Sequence, residues 1–82
     1  MNDAARNALI GALSDLRALE NRLDGLHKRL LAVPIDRDST DPADLGVEVL
    51  LLDVGKALHQ TILARIQAEY ENSRVFRGTD GR

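Results

Sequence analysis

Few side chains in this sequence are of a type and spacing that could do chemistry. His27 and His59 are the only histidines, cysteine is absent, and Ser14, Ser39 and Ser73 have no histidine at a spacing that nucleophile–base pairs use. Without cysteine there is no disulfide framework, no thiolate metal site and no thiol chemistry. Asp36 and Asp38 lie in a polar stretch with no apolar wall to raise a carboxyl pKa, so general acid–base work is not expected of them. No glycine-rich phosphate loop is present. The chain reads as a non-enzyme with no metal ion or other cofactor. What remains is Lys56, which interrupts an otherwise apolar row of Leu45, Val49, Leu52, His59, Leu63, Ile66 and Tyr70. Lys56 and His59 are candidate contacts for an anionic ligand or a partner. So are Arg74, Phe76 and Arg77, where basic residues around one aromatic side chain resemble a segment that orders on docking. The plainer reading places the Lys56 stem on apolar neighbours with its amine in water.

Composition bounds the rest. In 82 residues, 29% are charged and 44% hydrophobic, which is the make-up of a foldable soluble chain. Eleven Lys and Arg against thirteen Asp and Glu leave a net charge of -2, the wrong sign for binding nucleic acid by bulk charge. Tyr70 and Phe76 are too few aromatics for base stacking. The longest near-apolar stretch, residues 47–54, is short and carries Glu48 and Asp53, so no membrane span is expected. The opening residues lack the basic-then-apolar pattern of an export leader, and the expected location is cytoplasmic.

The elements that position these residues follow from periodicity and punctuation. Residues 4–33 carry Ala5, Leu9, Ala12, Leu16, Leu19, Leu23, Leu26, Leu30 and Val33 in alternating steps of four and three, a helical seam. Pro34 and Pro42 bracket a charged, Ser/Thr-bearing stretch, so 34–41 is a loop. Asp41, Pro42 and Asp44 form a helix start: a cap, a residue with φ already set, and a charge matching the helix dipole. The second segment, 42–72, is valine-rich between Gly46 and Gly55 and could be a buried strand. Nothing else in the chain offers a strand to pair with it, so helix is the better assignment. Residues 73–82 read as a flexible tail. The expected fold is all-α: a single domain, 1–72, made of an antiparallel two-helix hairpin.

The seam of the hairpin is a separate expectation. Gly11, Ala18 and Gly25 recur every seven residues, as do Leu50, Ala57 and Ala64. Folding about the loop centre sets Gly25 against Leu50, Ala18 against Ala57 and Gly11 against Ala64, a close-packed seam of small residues. It also sets Arg22 against Asp53 and separates the two histidines by about 16 Å along the axis. The leucines are then left over, and a unit this small rarely buries enough to stand alone. Leu9, Leu16, Leu19, Leu23, Leu26 and Leu30 are accordingly expected at an interface with further copies, as a helical bundle or a higher homo-oligomer.

These features favour a helical, coiled-coil-like oligomer that binds another protein as an adaptor, inhibitor or assembly factor, in the manner of bacterial and phage accessory proteins. The alternative is a small-ligand protein whose pockets between subunits capture an anionic metabolite or nucleotide.

Overall fold

A computed structural model describes residues 2–36 and 38–78, with side chains through Phe76. It contains two helices, α1 (Asp3–Leu31) and α2 (Pro42–Gly78), packed antiparallel into a rod of 62 × 20 × 14 Å. No strand occurs among the described residues, and 46–55 is helical.

Both helix starts are capped by short polar side chains. Asn2 Oδ1 accepts from the Ala5 N–H at 3.0 Å, and Asp41 Oδ1 accepts from the Ala43 N–H at 2.9 Å. Asp3 and Asp44 place carboxylates in the first turns, and Lys28 and Arg29 occupy the last turn of α1. The Ala32 N–H donates to the Lys28 carbonyl, and the Val33 N–H to that of Leu30, after which Pro34 prevents continuation. The loop bonds itself together. Asp36 Oδ1 accepts from the Asp38 N–H and Ser39 Oγ from the Asp41 N–H, each at 3.0 Å.

Helix α2 runs further than the periodicity alone indicates. Residues 73–78, expected in a flexible tail, belong to it, while 79–82 lie outside the described residues. Phe76 is half-buried beneath the Arg6 guanidinium, 5.4 Å from the ring centroid, which ties this last turn to the start of α1.

The helices meet through two heptad rows. On α1 the row is Leu9, Leu13, Leu16, Glu20, Leu23, His27 and Leu30. On α2 it is Val47, Leu51, Val54, Leu58, Thr61, Arg65, Ala68, Asn72 and Val75. Every member is half-buried except Thr61, which is buried at 8% exposure.

Two expectations about the seam are corrected here. Leu9, Leu16, Leu23 and Leu30 lie in the inner row of the hairpin itself, with Leu26 half-buried at its edge; only Leu19 of that set is exposed. The small residues do not line the seam. Ala18, Leu50, Ala57 and Ala64 are exposed, a Cβ added at Gly11 would meet nothing within 4 Å, and one at Gly25 would meet only Arg29 Nη1 at 3.9 Å. On α1 the reason is geometric: Gly11 sits two positions from both Leu9 and Leu13, about 200° around the helix and so on its far side.

The register differs from a fold about the loop centre by one heptad. His27 lies against Gly55, with Nε2 3.5 Å from where a Cβ would be, whereas the symmetric fold placed it at Glu48. Asn72 reaches Leu9 and Arg6 reaches Phe76 in the same shifted register. Polar pairing accounts for the shift. A fold about the loop centre would set Arg65 against Ile10 and Glu20 against Gly55, leaving two charges among apolar neighbours. In the observed register they meet each other. The loop absorbs the difference by climbing beside the first turns of α2, where Ile35 shares a depression with Glu48, Leu51 and Leu52.

Candidate interaction surface

Four polar side chains of the inner rows, Glu20, Thr61, Arg65 and Asn72, are hydrogen-bonded within the hairpin, and the His27 ring lies against Gly55. Thr61 Oγ1 donates to the Ala57 carbonyl at 2.8 Å, one turn back along its own helix. Asn72 Nδ2 donates to the Leu9 carbonyl across the hairpin at 2.9 Å and to the Ala68 carbonyl at 2.8 Å. Arg65 pairs with Glu20 through Nε and with Glu69 through Nη1 at 3.0 Å, while Arg17 Nη2 reaches the other Glu69 oxygen at 3.2 Å. The hydrogen bond to Glu20 is the main cause that holds the Arg65 guanidinium above its ordinary pKa, against the opposing effect of desolvation. This ladder of two arginines and two glutamates fixes register across the hairpin. Both of its carboxylates are held by arginines. The expected Arg22–Asp53 pair does not form: both side chains are exposed, and neither makes an ion pair among the described residues.

A shallow groove of about 490 Å³ opens near the loop end, lined by His27, Leu31, Leu52, Gly55, Lys56 and His59 among others. The shifted register therefore brings His27 and His59 to one groove, where the symmetric fold separated them. His27 is half-buried, and Lys56 and His59 are exposed. Among the described residues, no three histidine, aspartate or glutamate side chains come together as a metal site would require.

The other docking candidates are at the far end. Arg74 donates to Glu71 Oε1 through Nη2 at 2.7 Å and Nε at 3.0 Å, within its own helix. That bond is the chief cause holding the Glu71 carboxyl below its ordinary value. Phe76 is covered by Arg6, and the side chain of Arg77 lies outside the described residues.

The largest feature of the surface is apolar. Among the described residues no hydrophobic side chain is buried. On the side of α2 turned away from α1, Leu45, Val49, Leu52, Leu63, Ile66 and Tyr70 are all exposed, Leu52 at 67% and Tyr70 at 60%. With Lys56 and His59 they form a second heptad row, in strict steps of four and three. Helix α2 is thus apolar on two nearly opposite sides, one facing α1 and one facing outward. No described helix is long and apolar enough to cross a membrane.

The sequence reading recognised the outer row but missed the roles of Glu20, Arg65, Thr61 and Asn72. The signal was available. Val47, Leu51, Val54 and Leu58 step by four, three and four, and a strict heptad then reaches Thr61, Arg65, Ala68 and Asn72.

Set beside protein-family models, curated proteins and solved structures, the chain matches none of them.

Proposed function

We propose that this chain is a non-enzymatic helical module that associates with copies of itself and, so assembled, binds another protein as an adaptor, inhibitor or assembly factor. One observation carries the reading: six large apolar side chains stand exposed in a heptad row on the outer side of α2, while no apolar side chain among the described residues is buried. A helix apolar on two sides needs two neighbours, and the hairpin supplies one. Contiguous exposed apolar surface on a small chain marks a place where another macromolecule sits.

The test is absolute mass by light scattering at low micromolar concentration, together with thermal unfolding over a hundredfold range of concentration. Association predicts a multiple of the chain mass and a midpoint that rises with concentration. A compact monomer with a concentration-independent midpoint refutes it. Docking of another protein is tested by pull-down from the source cells. A specific partner is expected to be retained by the native chain and lost with Leu63→Asp, which breaks the assembly; a partner bound equally by both refutes binding through the assembled form.

A second reading has its own observation. The groove brings His27, Lys56 and His59 together beside apolar walls, a setting suited to an anionic metabolite or nucleotide. A thermal-shift panel of nucleotides and acidic metabolites separates the two, because a specific ligand raises the midpoint at saturating concentration.

A further inference from the structure

Resting on the self-association just proposed, we infer the occupant of the outer row of α2 and its geometry: a second copy of this chain, its α2 antiparallel to the first about a two-fold axis passing between Ala57 and Leu58.

The pattern of the row carries this. Reflected about its midpoint, Leu45 meets the partner's Tyr70, Val49 meets the partner's Ile66, and Leu52 meets the partner's Leu63. Each apolar residue is matched by an apolar residue. The only polar members, Lys56 and His59, meet each other in the two central layers, one on each side of the axis. A histidine ring nitrogen without a hydrogen accepts from an ammonium, so the central layer satisfies Lys56 as well as filling space.

Competing arrangements lose this match. A slip of one heptad sets Lys56 against Leu52 or Ile66 of the second copy and leaves two apolar residues at one end of each row without a partner. A parallel pairing sets Lys56 on Lys56 and His59 on His59, bringing like groups together. Polar residues in an otherwise apolar seam select register and orientation in this way in coiled coils. Here they lie at the midpoint, the one place where a two-fold axis pairs them with each other.

The area is sufficient. The six apolar side chains, each about half to two-thirds exposed, present on the order of 600 Å² per copy, or ~1,200 Å² for two, the size at which specific interfaces begin. All six are exposed in the hairpin, with Leu52 also at the edge of the groove beside His27 and Leu31, so they are accessible to a second copy without opening the α1–α2 contact.

Because the chain has no cysteine of its own, thiol pairing gives a clean test. Leu52→Cys and Leu63→Cys are made as separate variants, checked for unchanged mass under reducing conditions, and oxidised alone and mixed one to one. Antiparallel pairing predicts a covalent dimer in the mixture joining positions 52 and 63. Neither variant alone should cross-link, because like positions lie about 16 Å apart along the axis, beyond the ~7 Å that a disulfide spans. Val49→Cys mixed with Ile66→Cys serves as a second pair if either leucine variant fails to associate. A native chain of monomeric mass overturns both this geometry and the self-association beneath it. A native dimer in which these mixtures do not link, or in which Leu52→Cys links to itself, overturns the antiparallel register and leaves self-association standing.

Discussion

Replacing Gly11 and Gly25 by alanine separates two ways of building this hairpin. If small residues formed the seam, a methyl group at either position would push the backbones apart and destabilise the fold. The structure predicts the reverse. A Cβ at Gly11 meets nothing within 4 Å, and one at Gly25 meets only the mobile end of Arg29, at an ordinary contact distance of 3.9 Å. Both positions are inside α1, where glycine costs about 0.5–1 kcal/mol relative to alanine through the backbone freedom it loses on folding. With no contact to oppose that gain, each replacement should stabilise by about that amount and the pair by ~1–2 kcal/mol, since the sites are far enough apart to add. For a chain of this length 1 kcal/mol corresponds to roughly 4–8 °C in midpoint, so the double variant should melt ~4–16 °C higher. Circular dichroism melts at matched chain concentration measure it, with light scattering to confirm that the mass is unchanged. A lower midpoint, or a changed mass, would show that another backbone approaches this side of α1 and would refute the seam assigned here.

Further expectations concern the polar groups. Asn72→Ala removes the only side-chain hydrogen bond from α2 to the α1 backbone among those described and should cost about 1–2 kcal/mol in urea unfolding; an unchanged midpoint would show that the bond to Leu9 contributes nothing. Exchanging the ionic pair, Glu20→Arg with Arg65→Glu, should recover part of the stability that either single change loses, and no recovery would mean the two groups do not face each other. The Glu71 carboxyl, held below the ordinary glutamate value of 4.5 chiefly by the hydrogen bond from Arg74, contributes stability that is complete above that value and lost as pH falls through its lower folded pKa. Carbon-detected titration should place its midpoint below 4.5, and Arg74→Gln should raise it; a native midpoint at or above 4.5 contradicts the pairing.

How far the sequence revealed this fold depends on which question is put to it. Helix ends were legible because capping is local: Asn2, Asp41, Pro42 and Pro34 act on backbone groups within a turn of themselves. Antiparallel packing followed from two amphipathic helices joined by a short polar loop. Register was not legible by the same route, because a heptad pattern matches itself after every shift of seven residues, and symmetry about the loop gave no independent measure of where α1 stops. Only cross-helix chemistry breaks that degeneracy, here Glu20 with Arg65 and Asn72 with the Leu9 carbonyl. The face of α1 was misassigned for a related reason. Leu9, Leu16, Leu23 and Leu30 belong equally to a row completed by Ala12, Leu19 and Leu26 or to one completed by Leu13, Glu20 and His27. The first is more apolar and reads better as sequence. The second is the row that meets α2, where Glu20 finds Arg65 and the His27 ring fits over Gly55. Among the candidate contacts, Lys56 and His59 were legible as interruptions of an apolar row, whereas their nearness to His27 depended on the register.

The inner row of α2 is graded along its length, and this bears on how the molecule opens. Near the loop it is oily, with Val47, Leu51, Val54 and Leu58. Away from the loop it turns to Thr61, Arg65 and Asn72. Water competes well for the second kind of contact and poorly for the first. Breathing should therefore start at the end of the hairpin away from the loop and work toward it, as a zip parts, with amide exchange slowest beside the connection that holds the two halves together.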